Sequence, residues 1–147
     1  MVEYLQTTVG KFLFKVAVDR YYSNDGIWVL REGDQCRLGI SDFLQQRSGD
    51  VAFIEVKPEG TKVSSGDEFV VIETIKVNIS LASPITGTIV TINPLLTTTP
   101  EIINQDPFGA GWLVIIKALD WESDHKCLLE PNAYFLRMKA QAEEAAR

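Results

Sequence analysis

Hydrophobic and polar positions alternate with a period of two over residues 12–19. Phe12, Phe14, Val16 and Val18 interleave with Leu13, Lys15, Ala17 and Asp19, the spacing of a half-buried strand. Residues 21–26 read as a turn, 27–31 as a strand, Glu32-Gly33-Asp34 as a tight turn and 35–40 as the returning strand. Ser41 then fits a helix N-cap, because its hydroxyl can accept an amide hydrogen left free in the first turn. Asp42 favours the same helix end through its charge. The helix spans 42–47 and stops near Gly49.

Residues 51–56 form a further strand, closed by Lys57-Pro58-Glu59-Gly60. Beyond it the strands are short and punctuated: 62–63, a turn over 64–67, then 68–74. Over 77–82, Val77, Ile79 and Leu81 alternate with Asn78, Ser80 and Ala82. Ser83-Pro84 interrupts, and 87–92 resumes as a strand. Asn93-Pro94 opens a loop, 100–104 fits a short helix, 106–111 a turn and 112–117 a strand. Pro131 suits a first helical position, and 133–147 is rich in helix formers. Many short strands between frequent turns predict a mainly β fold, a flattened barrel or sandwich with short helices and a C-terminal helix. The prediction is one domain over 1–147, its core about 12–118 and its final helix about 131–146.

Composition narrows the function. The 147 residues are 46% hydrophobic and 23% charged, which suits a globular fold with a real core. A net charge of -6 and the lack of a Lys/Arg cluster argue against nucleic acid, whose phosphates demand a basic face. No apolar run reaches the roughly 20 residues of a membrane span. The N-terminus has no secretory pattern, so the cytoplasm or another reducing compartment is expected. Cys36 and Cys127 lie far apart and read as reduced thiols. His125 with Cys127 supplies at most half a metal site. No Gly-x-Ser-x-Gly elbow is present, and no convergent catalytic set emerges. A small β-rich enzyme is therefore disfavoured.

The informative stretch runs from Gly60 to Ile89. Lys76 lies ten residues after Gly66 and eleven before Gly87, between two strands of similar length. That spacing puts the lysine at the tip of a hairpin, with Gly66 and Gly87 as positive-φ turn glycines at the other end. Such a hairpin displays one amine in solvent, where it can be acylated and can swing between partners.

Gly66-Asp67, apolar strand residues, Glu73-Thr74-Ile75-Lys76, then Ser83-Pro84 and Gly87 resemble the arrangement of the lipoyl-domain family. Gly39-Ile40-Ser41-Asp42-Phe43, Gly49-Asp50-Val51, and Pro100-Glu101 through Asn104, Asp106-Pro107-Phe108-Gly109 and Gly111-Trp112-Leu113 resemble the H protein of the glycine cleavage system. The likeness runs from about Trp28 to Tyr134. It implies a lipoyl/biotinyl hammerhead fold, lipoic acid bound covalently to Lys76, and a carrier rather than an enzyme. It also implies that Glu73 is read by a lipoate ligase or transferase, although a surface carboxylate at a strand end is an equal reading. The expected partners are that attaching enzyme and the enzymes of a lipoate-dependent system, with no nucleic acid and no membrane. A biotinyl carrier is an alternative, but biotinyl lysines usually lie between methionines, and Ile75 and Val77 flank Lys76. An unmodified lipoyl-like docking module is another. Trp28, Trp112 and Phe69 are core aromatics on the ordinary reading, or neighbours of an arm that folds back.

The chain departs from typical H proteins. Gly26-Ile27-Trp28 replaces His-Glu-Trp, and Ile75-Lys76-Val77 replaces Val-Lys-Ala. The N-terminal stretch is longer, and the tail after Tyr134 continues as an extra helix. These departures leave two systems open: glycine cleavage, with an aminomethyl group and then electrons on the arm, or cytoplasmic sulfur oxidation beside a heterodisulfide-reductase-like complex.

Overall fold

Turn chemistry decides where this chain folds back, and the computed structural model, which describes residues 2–147, follows the predicted turns closely. In chain order the elements are β1 (Tyr4–Val9), β2 (Phe12–Ala17), β3 (Tyr21–Tyr22), β4 (Ile27–Glu32), β5 (Gln35–Ile40), α1 (Asp42–Ser48), β6 (Val51–Val56), β7 (Lys62–Val63), β8 (Glu68–Thr74), β9 (Asn78–Ala82), β10 (Gly87–Ile92), α2 (Leu95–Thr98), α3 (Ile102–Gln105), β11 (Val114–Ala118), α4 (Trp121–Asp124) and α5 (Pro131–Ala145). The fold is mainly β, with short helices and a C-terminal helix, as expected. A 6-stranded sheet has the order β3-β4-β5-β11-β10-β7, and a 3-stranded sheet the order β6-β8-β9. The N-terminal pair β1-β2 stands apart as a 2-stranded sheet. All the pairings are antiparallel.

Three local expectations need correction. Tyr21 and Tyr22 form a short edge strand on β4, not a turn, because Tyr22 is fully buried and its hydroxyl donates to the Ala17 carbonyl at 2.7 Å. Gly87 is not a positive-φ glycine. It sits inside β10, where a Cβ would lie 2.1 Å from the Lys117 carbonyl oxygen, so its job is close strand approach. Gly66, by contrast, has φ +98 as predicted. The third is an unforeseen strand: β1 pairs with β2 through Gly10-Lys11, with Gly10 at φ 62. Glycine at the first central position is what a tight type II′ hairpin asks for.

Apolar side chains gather in two clusters. The first lies between the two larger sheets and includes Val29, Leu38, Ile40, Phe69, Ile72, Ile89 and Ile116. The second is built by β2, β3, β4, α1 and α5: Phe14, Val16, Tyr22, Trp28, Phe43, Tyr134, Met138 and Ala142. Trp28 is fully buried, covers Gly39 closely and donates its indole N–H to the Pro107 carbonyl at 2.9 Å. Tyr22 and Tyr134 stack with centroids 4.4 Å apart. The C-terminal helix is thus one wall of the second cluster. Among the described residues no helix is long and apolar enough to cross a membrane.

Met138 is fully buried in that wall. Met138→Ala is expected to cost about 2–5 kcal/mol, from lost transfer energy plus the cavity left behind, read as a lower denaturant midpoint. Alkaline pH acts on the same cluster. Burial pushes the Tyr134 hydroxyl from 10.0 up to about 12, and burial raises that of Tyr22 as well. The folded state favours the neutral phenol, so this stability is complete below pH 10 and lost as pH rises toward about 12. Thermal midpoints should fall across that window, and Tyr134→Phe should flatten part of the fall.

Candidate functional site

The β8–β9 hairpin carries Lys76 at its apex. Glu73 pairs with Asn78, the Thr74 amide donates to the Val77 carbonyl at 2.8 Å, and Ile75 and Lys76 make the turn. No non-glycine among the described residues has a positive φ. The turn therefore lacks the left-handed backbone that tight hairpins prefer, and other bonds supply its stability. The Thr74 hydroxyl accepts from the amides of Lys76 (3.2 Å) and Val77 (2.9 Å). Its proton lies within reach of two carbonyls, Ser48 at 2.7 Å and Val77 at 2.8 Å. The Ile75 amide donates to the Asp50 carbonyl at 3.0 Å. The tip is thus tied across the molecule to the end of α1.

That end of α1 is shaped by its sequence. Ser41 caps the start, its hydroxyl accepting from the Leu44 amide at 3.2 Å. Gly49 ends the helix at φ +94 and faces Lys76: a Cβ at this position would meet the Lys76 Cβ at 3.4 Å. Asn104 in α3 then locks the junction. Its carbonyl oxygen accepts from the Val51 amide at 2.9 Å, and its amide donates to Gln45 Oε1 at 3.0 Å and the Gly49 carbonyl at 3.1 Å. Thr74 and Asn104 are positioning residues that the sequence reading did not single out, although both lie inside the motifs it quoted, and Gly49 was read there only as the helix stop.

Lys76 itself is exposed, and its Nζ donates to the Arg47 carbonyl at 3.2 Å. Ile75 (78% exposed) and Val77 (43%) flank it, so apolar surface surrounds the amine. Glu73 is exposed on β8, between Phe53 of β6 and Asn78 of β9, with Phe53 54% exposed. The structure therefore brings Glu73 and Lys76 onto one accessible end of the 3-stranded sheet. It does not bring Trp28 or Phe69 to the lysine. Both are fully buried and out of reach of a flexible arm. Trp112 lies under the Arg37 guanidinium, 5.0 Å from its ring centre, and belongs to another surface.

Two depressions flank the hairpin. One, of about 450 Å³, is lined by Asp25, Gly26, Arg47, Asn78, Tyr134 and Arg137, among others, and is polar. The other, of about 240 Å³, is mostly apolar and includes Lys76 in its wall. Gly26 and Ile27 are the residues that the sequence resemblance set against His-Glu of typical H proteins. Gly26 is at φ +93, where a Cβ would lie 3.2 Å from both the Ser41 and Tyr134 hydroxyls, and Ile27 is fully buried. His125 stacks on Trp121 with its Nδ1 2.8 Å from that residue's carbonyl oxygen, and Cys127 is exposed. No grouping of three or more His, Cys, Asp or Glu able to hold a metal occurs among the described residues.

Comparison with known proteins agrees with this geometry. The sequence model described as glycine cleavage H-protein matches residues 20–141. The chain is 39% identical over 121 residues to a probable glycine cleavage system H protein of Haloarcula marismortui, covering 82% of this chain and 94% of that protein. It is 36% identical over 124 residues to the glycine cleavage system H protein of Thermus thermophilus, covering 84% and 96%. The crystal structure of the Mycobacterium marinum glycine cleavage system H protein superposes with a TM-score of 0.70 at 30% identity, covering 80% of this chain and 94% of that one. The match reaches residue 141, so most of α5 is shared, and the tail is not the wholly extra helix the sequence suggested. The β1-β2 hairpin lies outside it. Proteins of this kind carry lipoate covalently on a lysine and are carriers, not enzymes. With the match spanning most of its length, this chain belongs to the glycine cleavage H-protein family.

Proposed function

We propose that Lys76 is the lipoate attachment point and that the chain is the lipoyl carrier of a glycine cleavage system. One observation carries the reading: an exposed primary amine stands at the apex of a hairpin whose turn is bonded on both sides. Rigidity below the lysine and freedom beyond it are what a swinging arm needs. Glycine cleavage is the better-supported system, because the relatives reported above carry that name. Sulfur oxidation has no support in these comparisons.

Joining the acid to Nζ removes a positive charge and leaves an amide N–H, which can still donate to the Arg47 carbonyl. Lipoate supplies dithiol–disulfide chemistry once attached, and the protein supplies position. Glu73, on the same exposed end, offers an attaching ligase or transferase one fixed negative charge near its target. Ile75, Val77 and Phe53 offer it apolar contact. Cys36 and Cys127 are both free thiols, which suits the cytoplasm. Burial raises the Cys36 thiol to about 11, so it does not compete with a dithiol at neutral pH.

Intact-mass measurement after incubation with a lipoate ligase, ATP and lipoate should show one added lipoyl group, absent in Lys76→Arg. An unchanged mass with an active ligase would leave a bare docking module. Glu73→Gln is expected to slow modification about ten-fold, the worth of one charged hydrogen bond to the attaching enzyme, with no change in the thermal midpoint. The loaded protein should then accept an aminomethyl group when glycine and its decarboxylase are supplied. An arm left unaltered there would assign the carrier to a different lipoate-dependent system.

A further inference from the structure

An apolar groove beside Lys76 is largely built from parts of the chain outside the family match. Val9, Phe12 and Phe14 come from the β1-β2 hairpin, and Ala142, Ala145 and Ala146 from the end of α5, whereas the match spans residues 20–141. The superposed crystal structure is covered over 94% of its length but accounts for only 80% of this chain. Phe43, Arg47 and the stem of Lys76 complete the wall. Among the described residues that line the groove none is acidic, although the chain has a net charge of -6. Phe12 is 51% exposed there, and the Lys11 ammonium lies 5.8 Å from its ring centre. The hairpin is fastened beside α1, since the Lys15 amide donates to Asp42 Oδ2 at 3.0 Å and Gln46 donates to the Leu13 carbonyl at 2.9 Å. The groove is therefore held in a fixed place beside the amine.

We propose that the N-terminal hairpin and the last turn of α5 give this chain a second docking contact for the enzyme that acylates Lys76, separate from the hairpin tip. The proposal rests on Lys76 being the attachment point. The chemistry of attachment selects this occupant. The free amine of Lys76 attacks the carbonyl carbon of an activated lipoyl group. The C–N bond forms, the bond to the leaving group (an adenylate) breaks, and the nitrogen gives up a proton. An enzyme holding that activated group must bring it within bonding reach of Nζ, so it covers the surface from which the Lys76 stem rises. Enzymes that act later meet the dithiolane at the far end of the arm and need not touch this surface. The groove also defines what fills it. An apolar ridge fits over Phe12 and the three alanines, and acidic groups at its rim face Lys11 and Arg47. Glu73, Ile75 and Val77 at the tip do not line the groove, so the two contacts are separable by substitution. An attaching enzyme without the matching ridge has the tip contact alone and modifies this carrier more slowly.

The test follows lipoylation of the full-length protein by intact mass, using the lipoate-attaching enzyme of the organism that makes this chain. Phe12→Ser is expected to raise KM about ten-fold with kcat unchanged, the result of losing one large apolar contact made before the chemical step. Ala145 is exposed at the helix end. Ala145→Glu should raise KM as well, because its carboxylate charges the groove and faces the acidic rim of the enzyme. Leu13→Ser is the control. Leu13 is 44% exposed on the opposite face of β2 from Phe12, and this variant should keep the KM of the unaltered chain. An unchanged KM in either groove variant, a loss confined to kcat, or an equal rise in Leu13→Ser overturns the docking contact and leaves the attachment reading intact. No added lipoyl mass on the unaltered chain, with an enzyme that still forms its activated lipoyl group, overturns both.

Discussion

A turn that its own backbone does not favour controls this structure. Ile75 and Lys76 are L-residues in a tight hairpin, neither has positive φ, and neither is glycine. A glycine would ease the turn but would leave no side chain to modify. The chain resolves the conflict from outside, through the Thr74 hydroxyl and the carbonyls of Ser48 and Asp50. The placing of Lys76 therefore depends on where α1 ends. α1 ends where Gly49 adopts φ +94 and Asn104 binds both sides of the junction.

Seen this way, motifs far apart in sequence form one mechanical unit. Asn104 is held by α3, and the segment after it folds over Asp106, whose carboxylate accepts from the Ala110 amide at 2.8 Å. A Cβ on Gly109 would lie 2.5 Å from that carboxylate, so glycine is required there. The carbonyls of Pro107 and Phe108 receive hydrogen bonds from Trp28 and from buried Arg20. Arg20 is ion-paired with Asp19 at 2.7 Å and lies over the Trp28 ring at 4.6 Å. A buried guanidinium is costly unless paired and bonded, and this one is both. The run from Asp106 to Trp112 is thus a brace linking the first strands to the junction of α1 and α3 that holds the hairpin tip.

Elements specified by local chemistry were legible in the sequence. The Ser41 cap, the stop at Gly49, the Gly66 turn and the Pro131 helix start each depend on a few neighbouring residues, and each is found where expected. What was not legible depended on tertiary partners. Tyr21-Tyr22 reads as a loop until Leu129 and β4 are present to pair with it. Gly87 resembles a turn glycine, and only the Lys117 carbonyl explains it. The position of Lys76 could be read from spacing because hairpin arithmetic is local. The bonds of Thr74 and Asn104 that hold it could not, since they reach across 26 to 59 positions. β1 was missed for a different reason: Gly10-Lys11 is a hairpin signal, but the polar residues of β1 mask its alternation.

The substitutions beside Trp28 show how such a carrier diverges without losing its amine. Ile27 is fully buried in the first cluster, so the position that the resemblance set against a polar residue is core in this chain. Gly26 leaves room for the Tyr134 hydroxyl beside Ser41, and Tyr134 then stacks on Tyr22 in the second cluster. Both residues serve packing, Gly26 at the contact between α5 and the cap of α1 and Ile27 in the first cluster, and both lie upstream of α1, whose far end holds the lysine. Changes at the capped end alter the polar depression around Asp25 and Arg137, while the Gly49 end stays fixed by Asn104. Separating the two ends of one short helix lets the polar depression vary while the geometry around Lys76 is retained.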